Sequence, residues 1–301
     1  MAYPGAQAAA VYGLTDLFDT ANRLHLARDP AARPLAVQAF AELDGLSKPR
    51  TALTAVVLPP SVAGVPPPAS RLTRWLVERH REGTLLCSVC VGGFVLAETG
   101  LLRGRPATTH WALRALFAAR FPDVALDTDR LIVDDGDVIT AGGFMAWVDL
   151  GLRLVDRFLG PPVMLATARY FLVDPGGREQ RFYKTFAPPM THGDAPILEV
   201  QRWLQARSGD KLTLPAMARK AGLGERTFLR RFVAATALRP TEYVQHLRVH
   251  KARDLLERRS LSVNEIAWRV GYEDANAFRK IFLRVMGLSP GEYRRRFALP
   301  R

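Results

Sequence analysis

Apolar residues are grouped in two different ways along this chain. Through the first two-thirds, short runs of valine and leucine alternate with stretches of helical period, the pattern of a doubly wound α/β domain built on a mostly parallel sheet. The runs predict strands over Ala52–Leu58, Gly83–Val89, Leu131–Asp134 and Val138–Ala141, with a short one at Ala107–Thr109. Helices are predicted over Gly13–Ala27, Pro67–Arg81, Gly93–Thr99, Trp111–Arg120 and Met145–Leu159. The proline-rich stretch Pro59–Pro68 reads as a loop over the strand ends, where an open α/β sheet takes its ligands. Only Met1–Tyr3 precede Pro4-Gly5, where a full first strand is expected, which points to a missing or misassigned start.

The last third carries one helical pattern twice. Met217–Leu223 followed by Arg226–Phe232 is matched by Ile266–Tyr272 followed by Asn276–Phe282. In each copy a short amphipathic helix ends at a glycine, Gly222 or Gly271, suited to a left-handed conformation. A second helix follows with aromatic residues four apart, Phe228/Phe232 and Phe278/Phe282, on the face expected to be buried. That is a tandem helix-turn-helix, a device for placing side chains in two major grooves of double-stranded DNA. A helix over Pro196–Ala206, with Ile197, Val200, Trp203 and Leu204 on one face, is expected to pack under the first copy. A long helix over Pro240–Glu257, with Tyr243, Leu247, Ala252 and Leu255/Leu256 inward, separates the two. Thr213 and Ser262 are the expected N-caps, and the first recognition helix is expected to start near Glu225.

Charge follows the same division. The net charge is +13, and from Glu199 onward 22 basic residues face 10 acidic ones, whereas the first 198 residues hold 20 and 19. A neutral front joined to a basic tail fits a body that handles something other than nucleic acid and a tail that neutralises phosphates. Phe186–Asp194, with paired prolines and small polar residues, reads as a linker between residues 1–185 and 195–301. The 48% hydrophobic content excludes a mainly disordered chain. Two cysteines, Cys87 and Cys90, lie in an apolar run and imply a reducing compartment. No stretch has the roughly 20 uninterrupted apolar residues of a membrane helix, and the start lacks the regions of a secretory signal, so a cytoplasmic location and no membrane partner are expected.

Residues 84–94, Thr-Leu-Leu-Cys-Ser-Val-Cys-Val-Gly-Gly-Phe, continue through Leu96–Trp111 in a run that closely resembles the DJ-1/PfpI superfamily, particularly its isonitrile-hydratase-like branch. The tail, down to Gly287–Arg294, resembles the AraC/XylS type of regulator, and the two together look like GlxA-type regulators. The resemblance implies a flavodoxin-like doubly wound domain, class I glutamine amidotransferase-like, followed by an all-α domain with two helix-turn-helix units. It also implies a homodimer and a small-molecule effector, with no cofactor.

In that superfamily Cys90 matches a nucleophile on a tight strand-to-helix turn, and His110 matches a histidine placed near the sulfur. Two departures stand out. Ala10 falls where the hydratases keep a catalytic aspartate, and Val91 where they keep a hydroxyl residue. Without a carboxylate to carry the proton, acid/base chemistry loses roughly two to four powers of ten. Ala10, Cys90, Val91 and His110 are therefore candidate ligand-pocket residues rather than a confident catalytic set. Cys90 stands open as pocket lining, sensor thiol or packed relic; a Cys90/His110 hydratase or amidase-like enzyme is the alternative function, and a general nucleoid binder a third. Strand alternation is expected to aim Cys87 and Cys90 to opposite faces, which argues against a redox pair. No second ligand sits at metal spacing beside His110, so no metal is expected. His192, His246 and His250 read as surface groups.

With the phenylalanines buried, the opposite face of the first recognition helix presents Arg226, Thr227, Leu229 and Arg230. The second presents Asn276, Ala277, Arg279 and Lys280. Arginine suits guanine, asparagine suits adenine, and an apolar side chain suits a thymine methyl, although each of these residues equally suits a phosphate contact. The run Arg294–Arg296 is expected to touch phosphate.

Overall fold

In the computed structural model, which describes residues 5–39, 52–258 and 261–298, the valine- and leucine-rich runs form the centre of the first of two units, Met1–Gln180 and Arg181–Arg301. Its strands are β1 (Ala55–Leu58), β2 (Leu85–Val89), β3 (Pro106–Ala107), β4 (Ala125–Leu126), β5 (Ile132–Asp134) and β6 (Val138–Ala141). The main sheet has the order β1-β2-β6-β5; β1, β2 and β6 run parallel, with Leu58 beside Ser88 and Val89 beside Ala141. β5 is antiparallel because a tight turn at Gly136, φ +86°, returns the chain directly into β6. β3 and β4 form a separate parallel pair.

Alternation along the strands gives each face its own core. Leu85, Cys87, Val89, Ile139 and Ala141 pack with α1 (Ala8–Arg28), and with two helices near the unit's end, Trp147–Leu159 and Pro161–Tyr170. Val56, Leu58, Leu86 and Val138 pack on the other face with α2 (Ser70–Arg81), α3 (Gly92–Glu98) and α4 (Arg114–Arg120). The helices near the end are α5 (Trp147–Leu159) and α6 (Pro161–Tyr170). A doubly wound sheet is the result. Helix α6 is not among the predicted helices; it opens on Pro161 and Pro162, and at the first turn of a helix the missing N–H of proline costs nothing. Met1–Tyr3, too few for the full first strand that is expected before Pro4-Gly5, lie outside the described residues.

The second unit is all helical: α7 (Ala195–Ala206), α8 (Leu214–Lys220), α9 (Glu225–Thr236), α10 (Pro240–Glu257), α11 (Val263–Arg269), α12 (Ala275–Met286) and α13 (Pro290–Phe297). The repeat extends beyond the motif. α9 and α12 each run twelve residues, and Tyr243 near the start of α10 and Tyr293 in α13, fifty positions apart, are both fully buried. Phe228, Phe232 and Tyr243 join Ile197, Val200, Leu204 and Met217 in one core. Phe278, Phe282 and Tyr293 join Val249, Leu256 and Ile266 in another, so α10 serves both halves. Thr213 caps α8 through Ala216 N at 3.4 Å, and Ser262 caps α11 reciprocally with Glu265.

Residues 186–194 do not run free between the units, since the division falls before them, at Gln180/Arg181. Proline keeps the segment from making helix or sheet, and side chains hold it instead. The Phe186 ring stacks on His246 at 4.9 Å and meets Tyr243 edge-on at 5.1 Å. Pro189 O accepts from Gln201 Nε2 at 3.1 Å, and Asp194 caps α7 through Ile197 N at 3.2 Å.

Candidate DNA-contact surface and the Cys90 turn

The two recognition helices owe their orientation to their buried faces. Phe228 and Phe232 in α9, and Phe278 and Phe282 in α12, have no exposed surface, which rotates the opposite faces outward. Arg226, Thr227 and Arg230 are exposed with Leu229 half-buried; Asn276, Arg279 and Lys280 are exposed with Ala277 half-buried. Gly222 and Gly271 take φ +65° and +91°, ending α8 and α11 as the sequence implies.

The faces differ in what holds them. α9 is anchored from behind: Arg231 grips the Asp194 carboxylate with Nε at 2.9 Å and Nη2 at 2.7 Å, and holds that carboxyl below the usual carboxylate range. α12 is capped by Asp274, which accepts from Asn276 N at 2.8 Å and Ala277 N at 3.2 Å. Its Arg279 donates from Nη1 to Asn276 Oδ1 at 2.9 Å and from Nη2 to Asn264 Oδ1, in α11, at 2.7 Å.

Two of the three arginines in the run near the end also make contacts within the unit. Arg294 is half-buried and donates to Leu261 O at 2.6 Å, and the Arg296 guanidinium lies 5.4 Å from the Phe182 ring centre. Arg295 is left with no such tie among the described residues. Arginine stacks readily on aromatic rings, and two thirds of the run is spent on the unit's own packing.

His250 is also not a surface group. It is half-buried in α10 with its Nδ1 3.1 Å from His246 O, and its Nε2 faces Phe186 N and, at 3.2 Å, Arg253 Nη1. Nδ1 therefore carries the proton and Nε2 accepts. Burial, with the Arg253 cation adjacent, pushes its pKa down to about 4. His192 Nε2 bonds Gln201 Oε1 at 2.7 Å.

In the first unit, Cys90 follows β2 with φ +55°, the left-handed conformation of a sharp strand-to-helix turn. Cys90 N donates to Ala141 O at 2.7 Å and Thr109 Oγ1 donates to Cys90 O at 2.8 Å, so the turn is fastened on both sides. Gly92 lets α3 approach β1: a Cβ there would lie 2.6 Å from Leu58 O. Because the turn interrupts the strand, the alternation argument fails at Cys90. Cys87 and Cys90 share one apolar cluster, both as free thiols.

Chemically the turn is subdued. Cys90 is only 4% exposed, and burial raises its thiol to about 11, against a lowering contribution from the Val91 backbone N–H. Burial also lowers the His110 pKa, and His110 Nδ1 accepts from Ala112 N at 3.2 Å, capping a 3₁₀ turn at Trp111–Leu113. No hydrogen bond joins Cys90 Sγ to His110 among the described residues. Ala10 and Val91 are both buried, and Val91 shares the apolar cluster of Cys90. No group of three or more metal-ligating side chains occurs among the described residues.

Sequence reasoning missed three contributors. Gln180 is 2% exposed and its Nε2 donates to Thr108 Oγ1, Thr109 O and Arg130 O while Oε1 accepts from Trp111 N, fixing the loop that carries His110. Gln7 is buried with Oε1 unpartnered. Asn264 lies in α11, outside the recognition helices, and only its bond to Arg279 marks it.

Fold and surface together define the class: a doubly wound α/β unit followed by a tandem helix-turn-helix unit. Residues 54–157 match the DJ-1/PfpI family and residues 217–296 match a helix-turn-helix domain. The two matches fall in this order on the two units, the arrangement that the sequence resembles. It is 29% identical over 221 residues to the HTH-type transcriptional regulator GbdR of Pseudomonas aeruginosa, covering 73% of this chain and 60% of that protein. It is 27% identical over 220 residues to the HTH-type transcriptional regulator GlxA of Rhizobium meliloti, covering 72% and 67%. The chain thus spans about three fifths of the length of GbdR. The DNA-binding domain of AdpA, solved in complex with a target DNA, is 34% identical over 34% of this chain and 92% of that one, with a TM-score of 0.33. No helix among the described residues is long and apolar enough to cross a membrane.

Proposed function

We propose that the chain is a sequence-specific, double-stranded-DNA-binding transcriptional regulator of the cytoplasm. Residues 195–301 read the operator, and residues 1–185 sense a small-molecule effector and pair two copies. The observation that carries this reading is the matched exposure of Arg226, Thr227 and Arg230 with Asn276, Arg279 and Lys280, on helices whose opposite faces are fully buried. Such a pair suits two successive major grooves, about 34 Å apart along the duplex. The surplus of basic residues in the same third supports it. The regulators GbdR and GlxA, to which the chain is similar, are consistent with that role.

For the first unit we propose a non-catalytic role around Ala10, Cys90, Val91 and His110. A thiol with a pKa near 11 is neutral at pH 7, His110 Nδ1 is occupied by Ala112, and Ala10 offers no carboxylate. The left-handed turn at Cys90 is the one observation favouring a nucleophile. A gel-shift titration against duplexes selected from a random pool tests the main reading: Arg226→Ala and Arg279→Ala should each weaken the selected duplex by about 5- to 150-fold. Equal weakening on all duplexes would leave a general DNA binder. Turnover of an isonitrile or amide by the wild type, abolished in Cys90→Ser, would restore the enzyme.

A further inference from the structure

The two halves of the tandem unit are superposable in sequence at a spacing of about fifty, and the spacing shows where they part. Arg279 of α12 falls on Leu229 of α9, and Asn264, second residue of α11, falls on Pro215, second residue of α8. Proline and leucine side chains offer no hydrogen bond. The tie from Arg279 to Asn264 at 2.7 Å, completed by Asn276 at 2.9 Å, therefore exists in the second half alone.

We propose that Asn264 is a positioning residue that aims Arg279 at one base pair, which makes the second half the more selective reader. The proposal rests on the DNA-binding reading above. A guanidinium has five N–H donors, and the two asparagine oxygens take two, leaving three; a guanine edge needs only two, at O6 and N7. An exposed arginine on its three-methylene arm otherwise loses rotamer freedom on docking, and holding it beforehand removes part of that loss. Asn264 and Arg279 stand fifteen residues apart on different helices, so the tie also fixes the angle between α11 and α12 at the DNA surface. Arg226 and Arg230 in the first half have no corresponding tie among the described residues, which suits them to phosphate or to adaptable contacts.

The test uses the full chain. Its preferred duplex is selected from a random pool, and wild type, Asn264→Ala, Asn264→Asp, Arg279→Ala and the Asn264→Ala/Arg279→Ala double variant are titrated against that duplex and its single-base-pair variants. Arg279→Ala should flatten the preference at one base pair. Asn264→Ala should flatten the same pair by about fivefold and leave the others unchanged, and the double variant should resemble Arg279→Ala. Asn264→Asp, whose carboxylate still accepts from Arg279, should keep that preference while binding every duplex more weakly through repulsion of phosphate. Melting curves should be unchanged, since Asn264 is exposed. A uniform loss with Asn264→Ala would overturn the proposal by making Asn264 a phosphate contact. Unchanged selectivity would make the tie idle, and tighter binding would make it a restraint; either overturns the proposal too. Failure of the selection to yield any preferred duplex sinks the DNA reading itself, an outcome separate from all of these.

Discussion

The two halves of the second unit share a scaffold and differ at their edges. Each buries a phenylalanine pair and a tyrosine fifty residues from its counterpart, yet the tyrosines are served differently. Tyr243 OH accepts from Gln201 Nε2 at 3.3 Å and packs beneath Phe186, whereas Tyr293 OH accepts from Arg253 Nε at 2.9 Å and donates to Glu257 Oε1 at 2.7 Å. The first half is thus held by α7 and the segment that precedes it, and the second by side chains of α10. Duplication fixes what lies inside, where close packing tolerates little change. Outside that core the two halves differ in the side chains that tie them down.

The largest effects should come from what the halves share. Phe232→Ala and Phe282→Ala each remove a fully buried ring and should each cost about 3–5 kcal/mol in urea or thermal unfolding of the full chain. Equal costs would support two equivalent cores meeting on α10. A difference above about 2 kcal/mol would mean that one half carries the other.

The glycines that end α8 and α11 should then separate the halves. Both have positive φ, so an alanine at either pays about 1–2 kcal/mol of backbone strain. Gly222→Ala should stop there, since its added Cβ meets nothing within 4 Å. At Gly271 the Cβ would lie 2.4 Å from Gly209 O, a backbone atom that cannot swing aside. Gly271→Ala should therefore exceed its counterpart by a further 1–2 kcal/mol or so, and matching melting temperatures would refute that packing argument.

These two glycines also show how far the sequence could be read. Their conformation was legible, because a short apolar period ending at glycine has few other meanings; that one of them is also pinched against Gly209 was not, because the pinch is a contact between distant segments. The same holds elsewhere. Helix α10 spans the residues that periodicity predicts, and the four strands of the main sheet fall inside their predicted runs, whereas β3 starts one residue before its run and β4 lies where no strand is predicted. The fastening of Cys90 by Thr109 and Ala141, the clamp of Gln180 on the His110 loop, and the bond from Asn264 to Arg279 join residues 15 to 69 or more apart, or depend on a turn that breaks strand alternation. Nothing local announces them. The reading of His250 as a surface group failed for the same reason, since its partners Lys184 and Phe186 lie more than sixty residues away.

Acid should act on the half that Phe186 covers. His250 is held neutral, with a pKa of about 4 in the fold against about 6.5 in an unfolded chain. Between those values the unfolded state binds the extra proton, so stability is full above pH 6.5 and falls as the pH drops towards 4. The loss should be roughly 3–4 kcal/mol at most. The protection factors of the amides at residues 184–187, each taken against the intrinsic exchange rate at that pH, should fall over this window before those in α12 do, and His250→Gln should flatten the dependence. Simultaneous loosening of both halves would mean that the segment is not a separate latch.

The smallest effect concerns the ends of the recognition helices. α12 ends at Gly287 with φ +73°, and α9 at Ala237 with φ +58°, so the first half uses an alanine where the second uses the residue suited to that conformation. Left-handed alanine costs about 1 kcal/mol or a little more, and glycine in its place returns most of that while adding freedom to the unfolded chain. Ala237→Gly should therefore stabilise the unit by about 0.5 kcal/mol, a shift of one or two degrees in melting temperature for a domain of this size. It should leave DNA selectivity untouched, because Ala237 lies at the far end of α9 from Arg226. A loss of stability would show that Ala237 contributes packing that outweighs its strain, and the first half would then be the better adapted of the two at this turn.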